Sequence, residues 1–173
     1  MVEIRAARVG DAAALARVHV ATWRAAYAGL LPDELLRSLS VAEREASWVT
    51  AIGDGPAAGV ATVVALVAGG LVGFASVGPA RDDDLSEDVS ELWSLYVHPD
   101  SWGAGVGHAL HSRALLRMRE RAASSGTLWV LTANDRARRF YEAHGWLADG
   151  TEQTAWRADV PLEESRYRLP DLT

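Results

Sequence analysis

The sequence predicts an α/β (α+β) fold, in which a mixed β-sheet carries helices on both faces. Strand-like apolar runs and segments with helical spacing follow each other in the order βαα, ββ, βα, βα, ββ, which is typical of such a fold. Two strand-like runs with a helix between them, over residues 92–132, indicate a parallel crossover. The 173 residues, 49% of them hydrophobic, suffice for a substantial core, so we expect a single domain over residues 1–173.

The N-terminal part of the chain is predicted to contain one strand followed by helices. Residues 2–7 are strand-like, and Asp11 precedes a segment whose apolar positions recur every three or four residues. Pro32 suits the first position of a second helix, because an N–H at that position would have no helical partner. Residues 41–52 continue as a further helical piece.

Residues 60–78 carry no charge and are nearly long enough to cross a membrane. A β-hairpin explains them better, because Gly69 and Gly70 stand at the middle, where a tight turn needs positive φ, and both halves are rich in valine. The segment also lacks the flanking basic and aromatic residues that anchor a membrane span. The sequence therefore predicts a hairpin and no membrane partner.

The segment ELWSLYVHPDSWGAGVG, residues 91–107, combines a buried strand with a glycine-rich entry into a helix. Pro99 ends the strand, because proline cannot donate the next hydrogen bond of the sheet. Gly103, Gly105 and Gly107 follow, and they allow main-chain N–H groups to turn toward an anion with no Cβ in the way. The helix behind them adds unpaired donors and a partial positive charge, so this segment is predicted to bind phosphate.

The C-terminal part is predicted to contain a strand, a helix and two further strands. Residues 127–132 form a short apolar run, and Asn134 is a suitable N-cap for the helix that follows. This helix is expected to end at Gly145, since glycine readily adopts the left-handed conformation of a helix C-terminus. Residues 146–169 contain two more strand-like runs.

Composition and charge exclude several classes of function. The net charge of −6 and the isoelectric point near 5.3 argue against binding to a nucleic-acid backbone. The chain has no cysteine, so disulfides, thiolate metal sites and a cysteine acyl-enzyme are excluded. The N-terminus lacks the apolar core of a signal peptide, which favours a cytoplasmic location.

No metal site is expected from the pattern of histidine and acidic residues. The histidines lack zinc-site spacing, and His108 and His111, three apart on one predicted helix, are interpreted as a chance pairing. The acidic segment 82–88 is interpreted as a solvated turn, with the alternative that it attracts a cationic amine.

Three kinds of nucleotide site compete for the glycine loop. A P-loop would have lysine and Ser/Thr after its last glycine, whereas His108 and Ala109 stand there. A dinucleotide-binding loop would have glycine at position 108 and an acidic residue about twenty positions on, where Thr132 and Ala133 lie. A pyrophosphate cradle made of loop N–H groups and a helix N-terminus, without a metal, needs neither feature, and this interpretation remains.

A second motif, NDRARRFYEAHGW at residues 134–146, completes a family resemblance. Asn134 and Tyr141 are seven residues apart and lie on nearly the same face of a helix, with the small Ala137 between them, so one ligand could contact both. A glycine loop after a strand, followed by N-x-x-A-x-x-F-Y-x-x-x-G-W, resembles the GNAT superfamily of acetyl-CoA-dependent N-acetyltransferases. The resemblance implies a largely antiparallel sheet of six to seven strands, in which two central parallel strands splay apart at the cofactor site.

The resemblance also implies a role for each matching residue. Tyr141 would protonate the departing thiolate as a catalytic acid, and a phenol with a pKa of about 10 is suited to that task. The family's loop begins with glutamine or arginine, and Trp102 stands at that place here. The groups implied to bind acetyl-CoA are the main chain of Leu95, Tyr96 and Val97, the loop residues Gly103, Ala104, Gly105, Val106, Gly107 and His108, and the side chain of Asn134.

Glu91, the first residue of the segment 91–107, is the candidate base. It falls where several members of the family carry a catalytic glutamate, and it would act through water on the acceptor amine. Glu91 and Val97 are six residues apart, so both point to one face of the strand if no bulge intervenes. The alternative is a charge at the edge of the sheet.

The acceptor site is the least defined part of the sequence. Trp23 and Tyr27 lie one turn apart on the first helix and are candidate substrate-binding residues, with anchoring of that helix as the alternative. Asn134 and Tyr141 likewise have simpler interpretations, as an N-cap and as a packed aromatic residue.

Together these features predict a single-domain enzyme that moves an acetyl group from acetyl-CoA to a primary amine by direct attack. The acceptor is a small molecule or a peptide, and the sequence leaves a homodimer open. The alternative is a non-catalytic acyl-CoA-binding or regulatory module on the same fold. A dinucleotide-binding oxidoreductase is a more distant third.

Overall fold

The computed structural model describes residues 1–172, which form one seven-stranded sheet with helices on both faces. The strands are β1 (Val2–Ala6), β2 (Ala61–Val67), β3 (Gly70–Pro79), β4 (Val89–Val97), β5 (Ser125–Leu131), β6 (Leu147–Arg157) and β7 (Val160–Leu169). The helices are α1 (Ala12–Ala26), α2 (Asp33–Ser38), α3 (Val41–Asp54), α4 (Val106–Glu120) and α5 (Asp135–Ala143). The sheet order is β1-β2-β3-β4-β5-β7-β6, and among these strands of residues 1–172 only β4 and β5 pair in parallel. The predicted fold class is therefore confirmed.

Local sequence signals set the ends of several elements. Ser40 caps α3 by accepting a hydrogen bond from the main-chain N–H of Glu43 at 3.2 Å. Gly145 adopts the left-handed conformation, with φ of 85°, just after α5. The uncharged segment forms the β2–β3 hairpin, although the positive φ angles fall on Ala68 and Gly69, one residue earlier than predicted. Over residues 1–172, no helix has the length and apolar character needed to span a membrane.

The parallel pairing of β4 with β5 is short. It joins Val89 to Ser125, Ser90 to Gly126 and Glu91 to Thr127, and beyond these three pairs the two strands separate. β5 continues to pair with β7 on its other side as far as Leu131. A wedge-shaped gap therefore opens in the middle of the sheet.

A β-bulge lies close to the point where β4 and β5 separate. Ser94 pairs with Ser76 and Leu92 pairs with Val77, so Trp93 is an extra residue on β4. A bulge reverses the alternation of side chains along its strand. Side chains before Trp93 therefore lie on the opposite faces from those that an unbroken strand would give them relative to the side chains after it.

Apolar clusters cover both faces of the sheet. On one face α4 contributes Leu110 and Met118, which pack with Trp146 and Tyr167. On the other face α1 and α3 pack on β2 and β3 through Leu15, Trp48, Val64 and Phe74. A third cluster joins the end of α1 and α2 to β5 and β7, and it contains Trp23, Leu31, Leu36, Leu131 and Leu162. This third cluster brings the N-terminal helices to the gap in the sheet.

Candidate active site

The gap between β4 and β5 is part of a cavity of about 690 Å³. One end is lined by the glycine loop and the start of α5, and we call it the loop end. The other end is lined by α1, the segment after β3 and the β6–β7 hairpin, and we call it the hairpin end. Tyr141 and Asn134 line the same cavity as Glu91, Trp23 and Tyr27, so the structure brings the candidate residues together.

The glycine loop has the geometry of an anion cradle. Gly103 and Gly105 have φ angles of 73° and 77°, and no atom lies within 4 Å of the position that a Cβ would occupy on either residue. The first main-chain hydrogen bond of α4 runs from Ala109 N–H to the Gly105 carbonyl. The N–H groups of Val106, Gly107 and His108 therefore precede the helical hydrogen-bond pattern and can bind a ligand's phosphate oxygens.

On the edge of β4 that faces the gap, fewer main-chain groups are available to pantetheine than the sequence predicted. His98 N–H donates to the Val72 carbonyl at 2.7 Å, so by the alternation of a strand the main-chain groups of Tyr96 also point toward β3. Those of Leu95 and Val97 point into the gap. The Val97 carbonyl already accepts hydrogen bonds from the Trp102 indole N–H at 2.6 Å and the Thr22 hydroxyl at 3.0 Å. Both main-chain groups of Leu95 and the N–H of Val97 remain for a ligand.

Asn134 and Tyr141 each combine a structural contact with a place in the cavity. The Asn134 side-chain oxygen caps α5 by accepting from Ala137 N–H at 3.1 Å, which leaves its amide NH₂ group. The Tyr141 ring packs edge-on against Phe140 and Trp146. Burial of its hydroxyl, followed by the nearby Tyr96, raises the pKa of Tyr141 well above the usual value. The phenol is therefore protonated at neutral pH.

Glu91 is 1% exposed and is held by a single arginine. One carboxylate oxygen accepts hydrogen bonds from the main-chain N–H and the Nε of Arg81, both at 3.1 Å, and the other accepts from an Arg81 Nη. Arg81 itself is 58% exposed, so the ion pair reaches from the interior to the surface.

The bulge changes the face on which Glu91 lies. The expectation that Glu91 and Val97 share a face required an unbroken strand, and this condition is not met. Leu92, Leu95 and Val97 all contact the cluster under α4, so the alternation shifts between Leu92 and Leu95. Glu91 therefore lies on the opposite face from Val97, which is the face of Tyr96 and the hairpin end.

Aromatic side chains dominate the hairpin end. Trp23 and Tyr27 pack edge to face, with ring centroids 4.9 Å apart, and both contact the third apolar cluster. Burial raises the pKa of Tyr27 and of Tyr96. Trp23 and Tyr27 thus anchor α1 and also line the cavity, so the two interpretations are compatible.

Several lining residues have no local signature in the sequence. Glu164 is half-buried on β7, and its carboxylate accepts a hydrogen bond from the Gln153 amide at 2.9 Å. Arg81 lies in the irregular segment just after β3, and Arg136 looks like an ordinary exposed helix residue. Only strand pairing and loop packing bring these residues to the cavity. For Arg136, its position two residues after Asn134 was the one available signal.

The acidic segment is more ordered than a solvated turn. Asp82 accepts from the Trp129 indole N–H at 3.1 Å, and Arg166 bonds Asp84 at 2.7 and 2.8 Å. Arg166 is buried and also pairs with Asp149 at 2.7 Å. The segment is therefore fixed against β5 and β7 beside the hairpin end.

The histidines near α4 contact one another and other side chains of the protein. The Nδ1 of His108 lies 2.9 Å from the Nε2 of His144, and His111 accepts a hydrogen bond from the Trp146 indole at 2.8 Å. Burial, followed by the neighbouring His144 and His108, lowers the pKa of His111 to about 4. Within residues 1–172, no group of three or more histidine, aspartate or glutamate side chains could hold a metal ion.

Comparison with known proteins assigns the chain to a family. A family model described as the acetyltransferase (GNAT) family matches residues 18–146. The chain belongs to the GNAT acetyltransferase family. A GNAT relative from Bacillus subtilis, the uncharacterized N-acetyltransferase YuaI, is 31% identical over all of this chain and 95% of its own length. The protein is accordingly an acyltransferase that depends on acetyl-CoA.

Solved structures of acetyltransferases share the fold. PaiA N-acetyltransferase from Thermoplasma acidophilum, solved with coenzyme A, has a TM-score of 0.80 at 20% identity and covers 98% of this chain and 99% of its own. YncA from Salmonella typhimurium, solved with acetyl-CoA, has a TM-score of 0.73 at 22% identity and covers 100% and 95%. At 20% and 22% identity, the likeness to these two structures shows a shared fold.

Proposed function

We propose that this GNAT protein transfers the acetyl group of acetyl-CoA to a primary amine by direct attack in a ternary complex. Tyr141 is the proposed general acid, and Glu91 is the proposed base, acting through water. The observation that carries the proposal is that Tyr141 lines the same cavity as Glu91, the last residue of β4 to pair with β5.

The loop end has the groups that acetyl-CoA needs. The cradle at Val106 to His108 suits its pyrophosphate, the free main-chain groups of Leu95 and Val97 suit the amides of its pantetheine arm, and the Asn134 amide can donate to the same arm. When bound, acetyl-CoA supplies an activated thioester. An N–H on β4 that points into the gap, such as that of Val97, can polarise the acetyl oxygen.

Tyr141 is proposed to donate its hydroxyl proton to the sulfur as the carbon–sulfur bond breaks. The raised pKa of this phenol keeps the proton available across the neutral and mildly alkaline range. Its packing against Phe140 and Trp146 fixes the ring, so little reorientation accompanies the transfer.

Glu91 is proposed to accept a proton from the acceptor amine through water. Its carboxylate has about four lone-pair positions and accepts three hydrogen bonds from Arg81, so one position remains for water. The bulge at Trp93 supports this role, because it turns Glu91 toward the hairpin end.

The hairpin end is proposed to bind the acceptor amine. Trp23 and Tyr27 supply aromatic surface, which attracts amines in their cationic form. Among the ion pairs of residues 1–172, Glu91 and Asp82 have arginine partners, whereas Glu164 is held only by the Gln153 amide. Glu164 can therefore contribute its charge to an incoming amine. Both small-molecule and peptide amines fit this description.

The whole chain, residues 1–173, is proposed to work as one acyltransferase domain, because strands from both ends join one sheet. A homodimer stays a prediction, and sedimentation equilibrium of the purified protein would test it. The cytoplasmic location also stays a prediction, and cell fractionation would test it.

A non-catalytic acyl-CoA-binding module is the second candidate, and one observation favours it. Arg81 engages both carboxylate oxygens of Glu91, which limits the access of the acceptor to this group.

Release of free CoA from acetyl-CoA, measured with a panel of primary amines and with mass analysis of the products, separates the two functions. Amine-dependent release with an added acetyl group on the amine is expected. Tight acetyl-CoA binding with no amine-dependent release would support the non-catalytic module.

A further inference from the structure

We propose that Arg136, stacked on Trp102, binds the pyrophosphate of CoA as a side-chain ligand. This inference concerns the loop end and rests on the use of acetyl-CoA, and it is independent of the acceptor and of the roles of Tyr141 and Glu91.

Trp102 is a fixed platform beside the glycine loop. It follows the short 3-10 turn at Pro99–Ser101, and its indole N–H donates to the Val97 carbonyl at 2.6 Å. The indole thereby connects the end of β4 to the residue just before Gly103. Its half-buried ring lines the cavity.

The guanidinium of Arg136 lies directly over this platform. Its Cζ is 3.4 Å from the centre of the Trp102 ring, which is close contact for a cation–π pair. Arg136 belongs to the first turn of α5, two residues after Asn134, and it also lines the cavity. Loop and helix thus meet across the loop end of the cavity through this stack.

The N–H groups of Arg136 are left for a ligand. Within residues 1–172 this guanidinium has no hydrogen-bond or ion-pair partner, whereas Arg81 in the same cavity is engaged by Glu91. Partial burial lowers the pKa of Arg136, as happens when a cation loses water without gaining an anionic partner. A guanidinium stacked through its face still presents its N–H groups at its edge, where they match phosphate oxygens.

The stack also accounts for the unusual start of the loop. Members of the family are expected to place glutamine or arginine where this chain has Trp102. Here the aromatic ring occupies that position, and α5 supplies the cation that rests on it. The charge next to the cradle therefore comes from a different element of the fold.

The test compares the binding of three ligands to the wild type and to Arg136→Gln by isothermal titration calorimetry. CoA and dephospho-CoA both contain the pyrophosphate, whereas pantetheine lacks it. We expect binding of CoA and of dephospho-CoA to weaken by about tenfold or more in Arg136→Gln, as for the loss of a charge-assisted hydrogen bond, with no change for pantetheine. Arg139→Gln is the matched control, because Arg139 is exposed on the same helix and does not line the cavity.

Trp102→Leu tests the platform by a second route. Loss of the ring should weaken CoA binding and leave Arg136 more mobile, whereas Trp102→Phe, which retains an aromatic face, should fall between Trp102→Leu and the wild type. Circular dichroism and melting temperature establish that each variant is folded, and Arg136→Lys, which keeps the charge without the planar stack, replaces any variant that is not.

Three results would overturn the proposal. They are unchanged CoA affinity in Arg136→Gln, an equal loss for pantetheine, and a loss for CoA without one for dephospho-CoA, which would place Arg136 at the 3′-phosphate. Failure of amine acetylation would leave these binding results valid, so the inference and the proposed function are tested separately.

Discussion

The two ends of the cavity are built in different ways. The loop end comes from one continuous part of the chain, residues 95–146, and uses mainly main-chain groups: the cradle of α4 and the free edge of β4. The hairpin end comes from α1, the segment after β3, Glu91 at the start of the gap, and the β6–β7 hairpin, and it uses side chains. The family match ends at residue 146, before that hairpin. Among members of the family, main-chain recognition of a common co-substrate at the loop end can thus stay the same while the side chains of the hairpin end differ.

Of the two ends, the hairpin end gives the larger expected effect. Glu91→Gln should lower kcat/KM for the amine by about 100-fold near pH 7, in the range of general base catalysis, and leave the dissociation constant of CoA unchanged. The deficit should shrink toward pH 10, because roughly 30% of an amine with a pKa of about 10.4 is then already neutral before it binds, against less than about 0.1% at pH 7. Initial rates of CoA release between pH 7 and pH 10 measure both effects.

Asp83→Asn, at an exposed carboxylate of the same acidic segment, is the control for Glu91→Gln. If Glu91→Gln kept wild-type turnover at pH 7, Glu91 would not be the catalytic base.

The second prediction concerns stability on the side of the sheet that carries the loop end. The pKa of buried His111 is lowered to about 4 from the ordinary value of 6.5, so the unfolded chain binds the proton more readily. The contribution of His111 to folding is therefore fully present above pH 6.5 and is lost as pH falls toward 4. The expected loss is about 2 kcal/mol by pH 4.5.

Urea unfolding at pH 7 and at pH 4.5 measures this change. His111→Gln, which retains an acceptor for the Trp146 indole, should flatten the dependence. An equally steep dependence in the variant would show that His111 is not its source.

These contrasts show what the sequence could predict. The sequence could predict the glycines of the loop and of the end of α5, and the N-cap of α5, because backbone conformation and capping depend on neighbouring residues. These residues are Gly103, Gly105, Gly145 and Asn134. The splayed strands followed from the family resemblance, since no local pattern near Glu91 marks them.

The remaining features depend on contacts between distant parts of the chain. The bulge at Trp93 arises from the register of β4 against β3, and it reversed the expected face of Glu91. The Arg81 ion pair with Glu91 and the position of Glu164 likewise need the packed loop and the paired hairpin. Periodicity within one strand contains no information on such pairings.

The third prediction sharpens the role of main-chain groups at the loop end. Gly105→Ala places a Cβ on a residue with φ of 77°, where an alanine costs about 1–2 kcal/mol. The loop should relax away from the cradle, and CoA should bind about tenfold more weakly, while the KM for the amine stays close to that of the wild type. Titration calorimetry with CoA gives the first value, and initial rates give the second.

Gly10→Ala is the control for this change, because Gly10 lies in the 3-10 turn before α1, has no positive φ, and has no atom within 4 Å of its Cβ position. Unaltered CoA affinity in Gly105→Ala would argue against a cradle built on this backbone.

The smallest effect is expected at Tyr27. Tyr27→Phe keeps the ring against Trp23 and removes only the buried hydroxyl, so the KM for the amine should rise a fewfold, on the order of one lost neutral hydrogen bond. The dissociation constant of CoA should not change. If only the dissociation constant of CoA rose, Tyr27 would contact the co-substrate and not the acceptor.

Tyr141, which lines the same cavity, tests the account most directly. The decisive measurement is the turnover number of Tyr141→Phe, determined alongside its dissociation constant for CoA. The account predicts a loss of about 10²- to 10³-fold in kcat, as for removal of a general acid, with CoA affinity within a factor of two or so of the wild type. Wild-type turnover in this variant, or a loss of CoA binding that matches the loss of rate, would contradict it.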